Sequence, residues 1–158
     1  MEQRINPFEK GQTAMKSLFG LSFYLSKSSI EQPLLNLIYF RISQINGCAY
    51  CLDMHSKDLR AKGETEQRLY MLDAWREASQ YTDRERAALG WAEAVTKISG
   101  GQVPQAIYNE ARQQFSEQEI IDLTMATIAI NGYNRINIAF CTPAGNYQPG
   151  MHAAVHAN

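Results

Sequence analysis

The stretch Gly47-Cys48-Ala49-Tyr50-Cys51-Leu52-Asp53-Met54-His55 decides how this chain is read. It carries two of the three cysteines and one of the three histidines, spaced C-x-x-C-x-x-x-H. Ahead of it, Leu34, Leu35, Leu37, Ile38, Phe40, Ile42 and Ile45 are apolar over most of a helical surface, so that helix is expected to be central and buried. Asn46-Gly47 ends it, and Gly47 suits the left-handed position just past a last turn. A further helix is expected from 48 to 63, turning polar at Lys57, Asp58, Arg60 and Lys62. The motif therefore opens a helix, and Cys48, Cys51 and His55, at i, i+3 and i+7, share one face of it.

Working outward, apolar residues recur at three and four rather than in alternation. One helix is expected over 7–26, weakened by Gly11 and Gly20. Ser29, with Gln32 three residues on, predicts a capping box for the central helix, and Pro33 is tolerated in its first turn. Residues 64–78 predict one or two short helices anchored by Leu69, Tyr70, Leu72 and Trp75. Thr82 with Glu85 and Ser116 with Glu119 are two more capping boxes. Gly100-Gly101 stops the first of these helices, Pro104 starts another to about 115, and the second box opens a long helix to about 140. The expected fold is all-α, a single domain over 1–158 with roughly six to eight helices. An N-terminal helix lies within 1–30 and an irregular tail over 142–158.

Composition narrows the function. With 45% hydrophobic and 20% charged residues the chain reads as globular, and a net charge of -1 gives no field suited to nucleic acid or an acidic membrane. The run 120–140 could span a bilayer in length, but Asp122, Asn131, Asn134, Arg135 and Asn137 interrupt it, so a buried helix is expected. The first ten residues carry no secretory pattern, which predicts a cytoplasmic protein with no membrane partner. In a reducing compartment a C-x-x-C pair is redox-active or metal-binding rather than a staple.

A helix start favours thiolate over thiol, and His55, four residues after Cys51, can accept or return that sulfur's proton. Cys51 is accordingly the expected attacking sulfur and Cys48 the resolving one, with the opposite order open. A sulfenic acid formed on one cysteine can condense with the other to a disulfide. Zinc is the competing reading: Cys48, Cys51 and His55 could be three ligands and Cys141, His152 or His156 a fourth, yet none of these has a second half-motif. Cys141 reads as a buried small hydrophobe and the tail histidines as solvated.

The run from Arg41 through Cys48, Cys51 and His55 to Asp58 closely resembles the core motif of the AhpD-like alkylhydroperoxidases, in the carboxymuconolactone decarboxylase superfamily. Gly63 to Leu69, Glu85 to Leu89, Trp91 to Ala94 and Gly132 to Arg135 look like later parts of the same family, so the resemblance covers about 34–150. It implies an AhpD-like helical bundle, a homo-oligomer (trimer or hexamer), and a dithiol peroxidase assisted by histidine with no metal or organic cofactor. The substrate would be an alkyl hydroperoxide or a disulfide. The reductant would be a lipoyl, thioredoxin-like or small thiol. The family's motif cysteines fall on Cys48 and Cys51, the second being peroxidatic, and its histidine on His55. Two positions depart from the pattern. Asn36 stands where the well-studied enzymes have a glutamate, and Tyr50 stands where they have a histidine. Glu93, in the small-residue stretch Ala92-Glu93-Ala94, is nominated as the replacement acid, against an exposed glutamate or a partner for Arg135. Tyr39 and Asp53 are weaker nominees. The alternatives are a cofactor-free lyase of the decarboxylase branch and a non-enzymatic redox-sensing oligomer.

Overall fold

The computed structural model describes residues 2–151. Among these, eight α-helices and two short 3₁₀ turns make up the regular structure, with no strand. The expected all-α, AhpD-like bundle is what the chain forms.

Helix α3 (Gln32–Asn46) is its axis, because it is buried on two sides. Leu34, Leu35, Ile38 and Ile42 pack with Leu123, Ala126 and Ile130 of α8 (Glu117–Ala139) and with Ala88 and Ala92 of α6 (Asp83–Lys97). Leu37 and Phe40 face a second cluster, formed by Leu59 of α4 (Ala49–Ala61), Leu69 of α5 (Glu66–Met71) and Leu72 and Trp75 beyond it. A helix enclosed in this way has to be apolar nearly all round. Each such side chain, fully buried, contributes about 1.5–3 kcal/mol.

Two expectations at the N-terminal side need correcting. The helix expected over 7–26 is two, α1 (Pro7–Lys10) and α2 (Gln12–Ser26). The Gly11 amide donates to the Pro7 carbonyl at 2.9 Å, and a Cβ on Gly11 would lie 2.9 Å from that same oxygen. The bend there thus depends on the absence of a side chain. The box expected at Ser29 and Gln32 also does not form. The Gln32 side-chain amide reaches back to the Leu25 carbonyl (3.3 Å) near the end of α2, and α3 starts at Gln32, its N-cap Glu31 giving no side-chain hydrogen bond. The two later boxes form as the sequence predicts: Glu85 accepts from the Thr82 amide (2.8 Å) and Glu119 from the Ser116 amide (2.8 Å).

The asparagines of α8 resolve the apparent conflict in its sequence. Asn46 of α3 donates to Asn134 (2.8 Å) and Asn131 (3.0 Å), and Asn134 donates to Ser43 (3.0 Å). A polar ladder in the interior thereby joins α8 to the last turn of α3, with each buried amide given a partner. Among the described residues no helix is long and apolar enough to cross a membrane.

Past α8 the chain crosses α4 without regular structure. The Gly145 amide donates to Asp53 (2.9 Å), and Lys57 donates to the Gly145 and Tyr147 carbonyls (3.0 Å each). The Tyr147 hydroxyl donates to Asp58 (3.0 Å). Asp53, a weak nominee for steering His55, is thus a tether for this strap.

Asn134→Ala strips partners from Ser43 and Asn46 in the interior. It is expected to lower unfolding free energy by about 2–3 kcal/mol, read from urea denaturation; a loss below about 0.5 kcal/mol would mean the ladder is not structural.

Candidate active site

The last turn of α3 positions the motif. Gly47 adopts φ 67° and ψ 33°, its amide donates to Gln44, and the Cys48 amide donates to Ser43 (3.1 Å). These two bonds close α3 with a left-handed residue and hand the chain directly to α4. Cys48 becomes the N-cap of α4, and its sulfur accepts the Cys51 backbone N–H at 3.4 Å. Both sulfurs are buried. Asn137 of α8 donates its amide N–H to the Cys51 sulfur at 3.4 Å.

The two thiols therefore differ. A hydrogen bond from the Cys51 thiol pulls the Cys48 pKa down; burial opposes this, while the Cys51 backbone N–H and the Asn134 amide assist it. Cys51 is pushed the other way, by donating to Cys48, by burial and by the charge on its neighbour. Cys48 thus holds negative charge more readily. Cys51, however, is the cysteine that lines the principal cavity, and Cys48 does not.

That cavity measures about 580 Å³, within the range of small-molecule sites. Phe8, Phe19, Tyr39, Tyr50, Tyr133 and Tyr147 give it an aromatic wall. His55 opens on it and is 7% exposed, its ring 5.5 Å from that of Tyr39. Among the described residues neither ring nitrogen of His55 has a hydrogen-bond partner. Helical spacing does bring Cys51 and His55 to one cavity, but they are not hydrogen-bonded to each other. Burial, with a smaller contribution from the Lys62 charge, pushes the imidazole down to about 3, so it is neutral at pH 7.

Glu93 is elsewhere. Its carboxylate accepts from Arg41 (2.6 Å), Trp75 (2.9 Å) and Arg76 (2.7 Å), on the far side of α3 from the cavity lining. Burial alone would raise its pKa, but these three donors outweigh it and hold the carboxyl below its usual range. The nominated acid therefore does not touch His55; a buried charge needs partners, and the arginines supply them. Arg135 is not among them and bonds Asn131 instead. Asn36, at the family's acid position, does line the cavity beside His55.

Cys141 is half-buried just past α8, apart from the Cys48–Cys51 pair. No three His, Cys, Asp or Glu side chains among the described residues come together as metal ligands would. His152 and His156, weighed as further ligands, lie outside the described residues. Sequence reasoning missed Asn134 and Asn137, the side chains that hold the sulfurs. Their signal was present as asparagines at three-residue spacing, 131, 134 and 137, in an otherwise apolar helix.

A helical bundle that presents a dithiol at the start of an interior helix defines the AhpD-like class. The chain belongs to the carboxymuconolactone decarboxylase family, whose model matches residues 11–94. It is 42% identical over 139 residues to YdfG of Bacillus subtilis, an uncharacterized protein, covering 88% of this chain and 95% of that one. A crystal structure from Agrobacterium tumefaciens, of a protein of unknown function suggested to be the antioxidant defence protein AhpD, superposes with a TM-score of 0.87. It is 40% identical and covers 92% of this chain and all of that one. The debrominase Bmp8 shares the fold at 20% identity (TM-score 0.76, covering 87% of this chain and 74% of that one).

Glu93→Gln weakens the clamp on buried Arg41 and is expected to cost about 3 kcal/mol of stability while leaving Cys51 alkylation rates unchanged; altered thiol reactivity would return Glu93 to the relay. The pH dependence of folding tests His55. Its pKa is about 3 folded, against 6.5 unperturbed, so below pH ~6.5 the unfolded chain binds a proton that the folded one does not. Stability is full above that pH and falls toward pH 3 at up to about 1.4 kcal/mol per pH unit. In His55→Gln this contribution to the slope should vanish.

Proposed function

We propose that this protein is a thiol-dependent hydroperoxide reductase in which Cys51 attacks, Cys48 resolves and His55 handles the proton. The observation that carries the reading is that Cys51 opens on the aromatic cavity beside His55, while Cys48 sits behind it at the helix N-cap within hydrogen-bonding reach.

The chemistry follows from that placement. Cys51, protonated at rest, passes its proton to the Cys48 sulfur that it already hydrogen-bonds and attacks, as thiolate, the terminal oxygen of a hydroperoxide. An S–O bond forms, the O–O bond breaks, and the electron pair leaves on the carbon-bound oxygen, which is protonated to the alcohol. Cys48 then attacks the sulfenic sulfur, releasing water and closing a disulfide. An external dithiol (lipoyl, thioredoxin-like or a small thiol) restores both cysteines by exchange. Cys48 is well suited to the second step, because the N-terminal dipole of α4 and the N–H of Cys51 favour its thiolate. The same cavity could admit a disulfide, which the dithiol would reduce without the first step.

A lyase acting on a lactone acid is less well supported. Its chemistry does not call for a vicinal dithiol, and among the described residues the cavity wall offers a carboxylate one cation, Lys62, with the like-charged Asp58 on the same wall. The AhpD suggestion made for the Agrobacterium relative favours the peroxidase reading, at 40% identity.

Cys51→Ser should abolish peroxide consumption. Cys48→Ser should complete one turnover and trap a sulfenic acid on Cys51, detected by a dione probe and mass spectrometry. Full turnover by both variants would remove the dithiol mechanism.

A further inference from the structure

Among the described residues, five buried side-chain nitrogen or oxygen atoms lack a hydrogen-bond partner, and four of them belong to cavity-lining residues: Asn36 Nδ2, both ring nitrogens of His55, and Asn137 Oδ1. An orphaned buried polar atom costs about 1–3 kcal/mol, and folded proteins seldom tolerate several together. Their convergence on one otherwise aromatic cavity marks a place built to receive a polar head group.

Asn137 has a double placement. Its N–H is already on the Cys51 sulfur, while the adjacent oxygen of the same amide is free and buried. A molecule whose O–H donates to that oxygen is held beside the sulfur. Asn36 offers a donor from α3. A hydroperoxide carries both complements, an O–H at its terminal oxygen and an acceptor at its carbon-bound oxygen.

Resting on the hydroperoxide-reductase reading, we propose that Asn137 aligns the terminal oxygen of an uncharged hydroperoxide with Cys51, and that Asn36 donates to the leaving oxygen. The apolar body of the substrate, aryl or comparably bulky, lies against Phe8, Phe19 and Tyr133. As the O–O bond breaks, the electron pair moves to the carbon-bound oxygen, and the Asn36 N–H bonds the developing alkoxide. The proton that Cys51 gave up returns to it through His55, yielding the alcohol. The head-group side chains Asn36, His55 and Asn137 are neutral, and the two charged side chains of the wall, Lys62 and Asp58, are opposite in sign, so the cavity offers no net positive charge to a peroxide anion beside the thiolate. Asn36 thus makes this site a selector for neutral substrates.

The test uses the full chain and two measurements. Binding of 2-phenyl-2-propanol, the alcohol product of cumyl hydroperoxide, is followed by NMR in wild type, Asn36→Leu and Asn36→Asp, each checked for its native circular dichroism. Sulfenic acid formation is followed in the Cys48→Ser background with cumyl hydroperoxide and with the peroxymonosulfate anion. The alcohol is expected to bind about tenfold more weakly to both Asn36 variants, as loss of one buried hydrogen bond predicts. Relative to each oxidant's rate with free cysteine, cumyl hydroperoxide is expected to be favoured at least tenfold over the anion, and to react about tenfold more slowly once Asn36 is replaced, with iodoacetamide reactivity of Cys51 unchanged. Peroxide reduction that is indifferent to Asn36 and to substrate charge would overturn the proposal while sparing the peroxidase. Alcohol binding weakened by the variants without any peroxide reduction would support the head-group site and overturn the peroxidase reading instead.

Discussion

Gly47 turns the chain from α3 into α4 within a single left-handed residue, and Asn134 of α8 ties down the turn preceding it through Ser43 and Asn46. The site depends on this joint. Because α3 closes through the Gly47 and Cys48 amides, Cys48 is the N-cap of the next helix and its sulfur meets the Cys51 N–H. Because α8 is held in register by Asn134, Asn137 arrives one turn later at the other sulfur. A residue with a side chain at Gly47 would be strained at φ 67°, and the strain would fall on the peptide that aims Cys48.

The distribution of charge is the second theme. Helix α3 separates two environments. On one side Arg41, together with Trp75 and Arg76, satisfies Glu93 in a buried ionic cluster. On the other side Asn36 and Tyr39 face a cavity whose base is neutral: an imidazole kept unprotonated by burial, two amides and the Cys51 sulfur. Negative charge on Cys48 is favoured by neutral donors, first the Cys51 thiol and then the Cys51 backbone N–H and the Asn134 amide, rather than by a cation or a carboxylate–imidazole pair. A low-dielectric setting strengthens such dipoles and penalises stray charge.

Local signals were legible wherever the responsible groups lie within a few residues of each other. The boxes at Thr82 and Ser116, the stop at Gly47 and the shared face of Cys51 and His55 are all of this kind. The box at Ser29 failed because α3 begins two residues later, with Glu31 as its N-cap, and the Gln32 side chain instead donates to the Leu25 carbonyl seven residues back. Glu93 failed as the acid for a related reason. Its need for a partner was readable from its setting among alanines, but which partner depends on how α6 rotates against α3, and that brought Arg41 rather than His55.

The sequence by itself determined the helical class, the placement of the dithiol at a helix start, and a histidine one turn further along the same face. Those follow from backbone periodicity and capping, which act over three or four residues. The tertiary structure alone decided which sulfur faces the cavity, that His55 is neutral and has no partner among the described residues, and that Asn134 and Asn137 hold the sulfurs. Each of these depends on α8 meeting the α3–α4 joint some ninety residues away in sequence, a distance across which burial and hydrogen-bond competition, not periodicity, choose the partners.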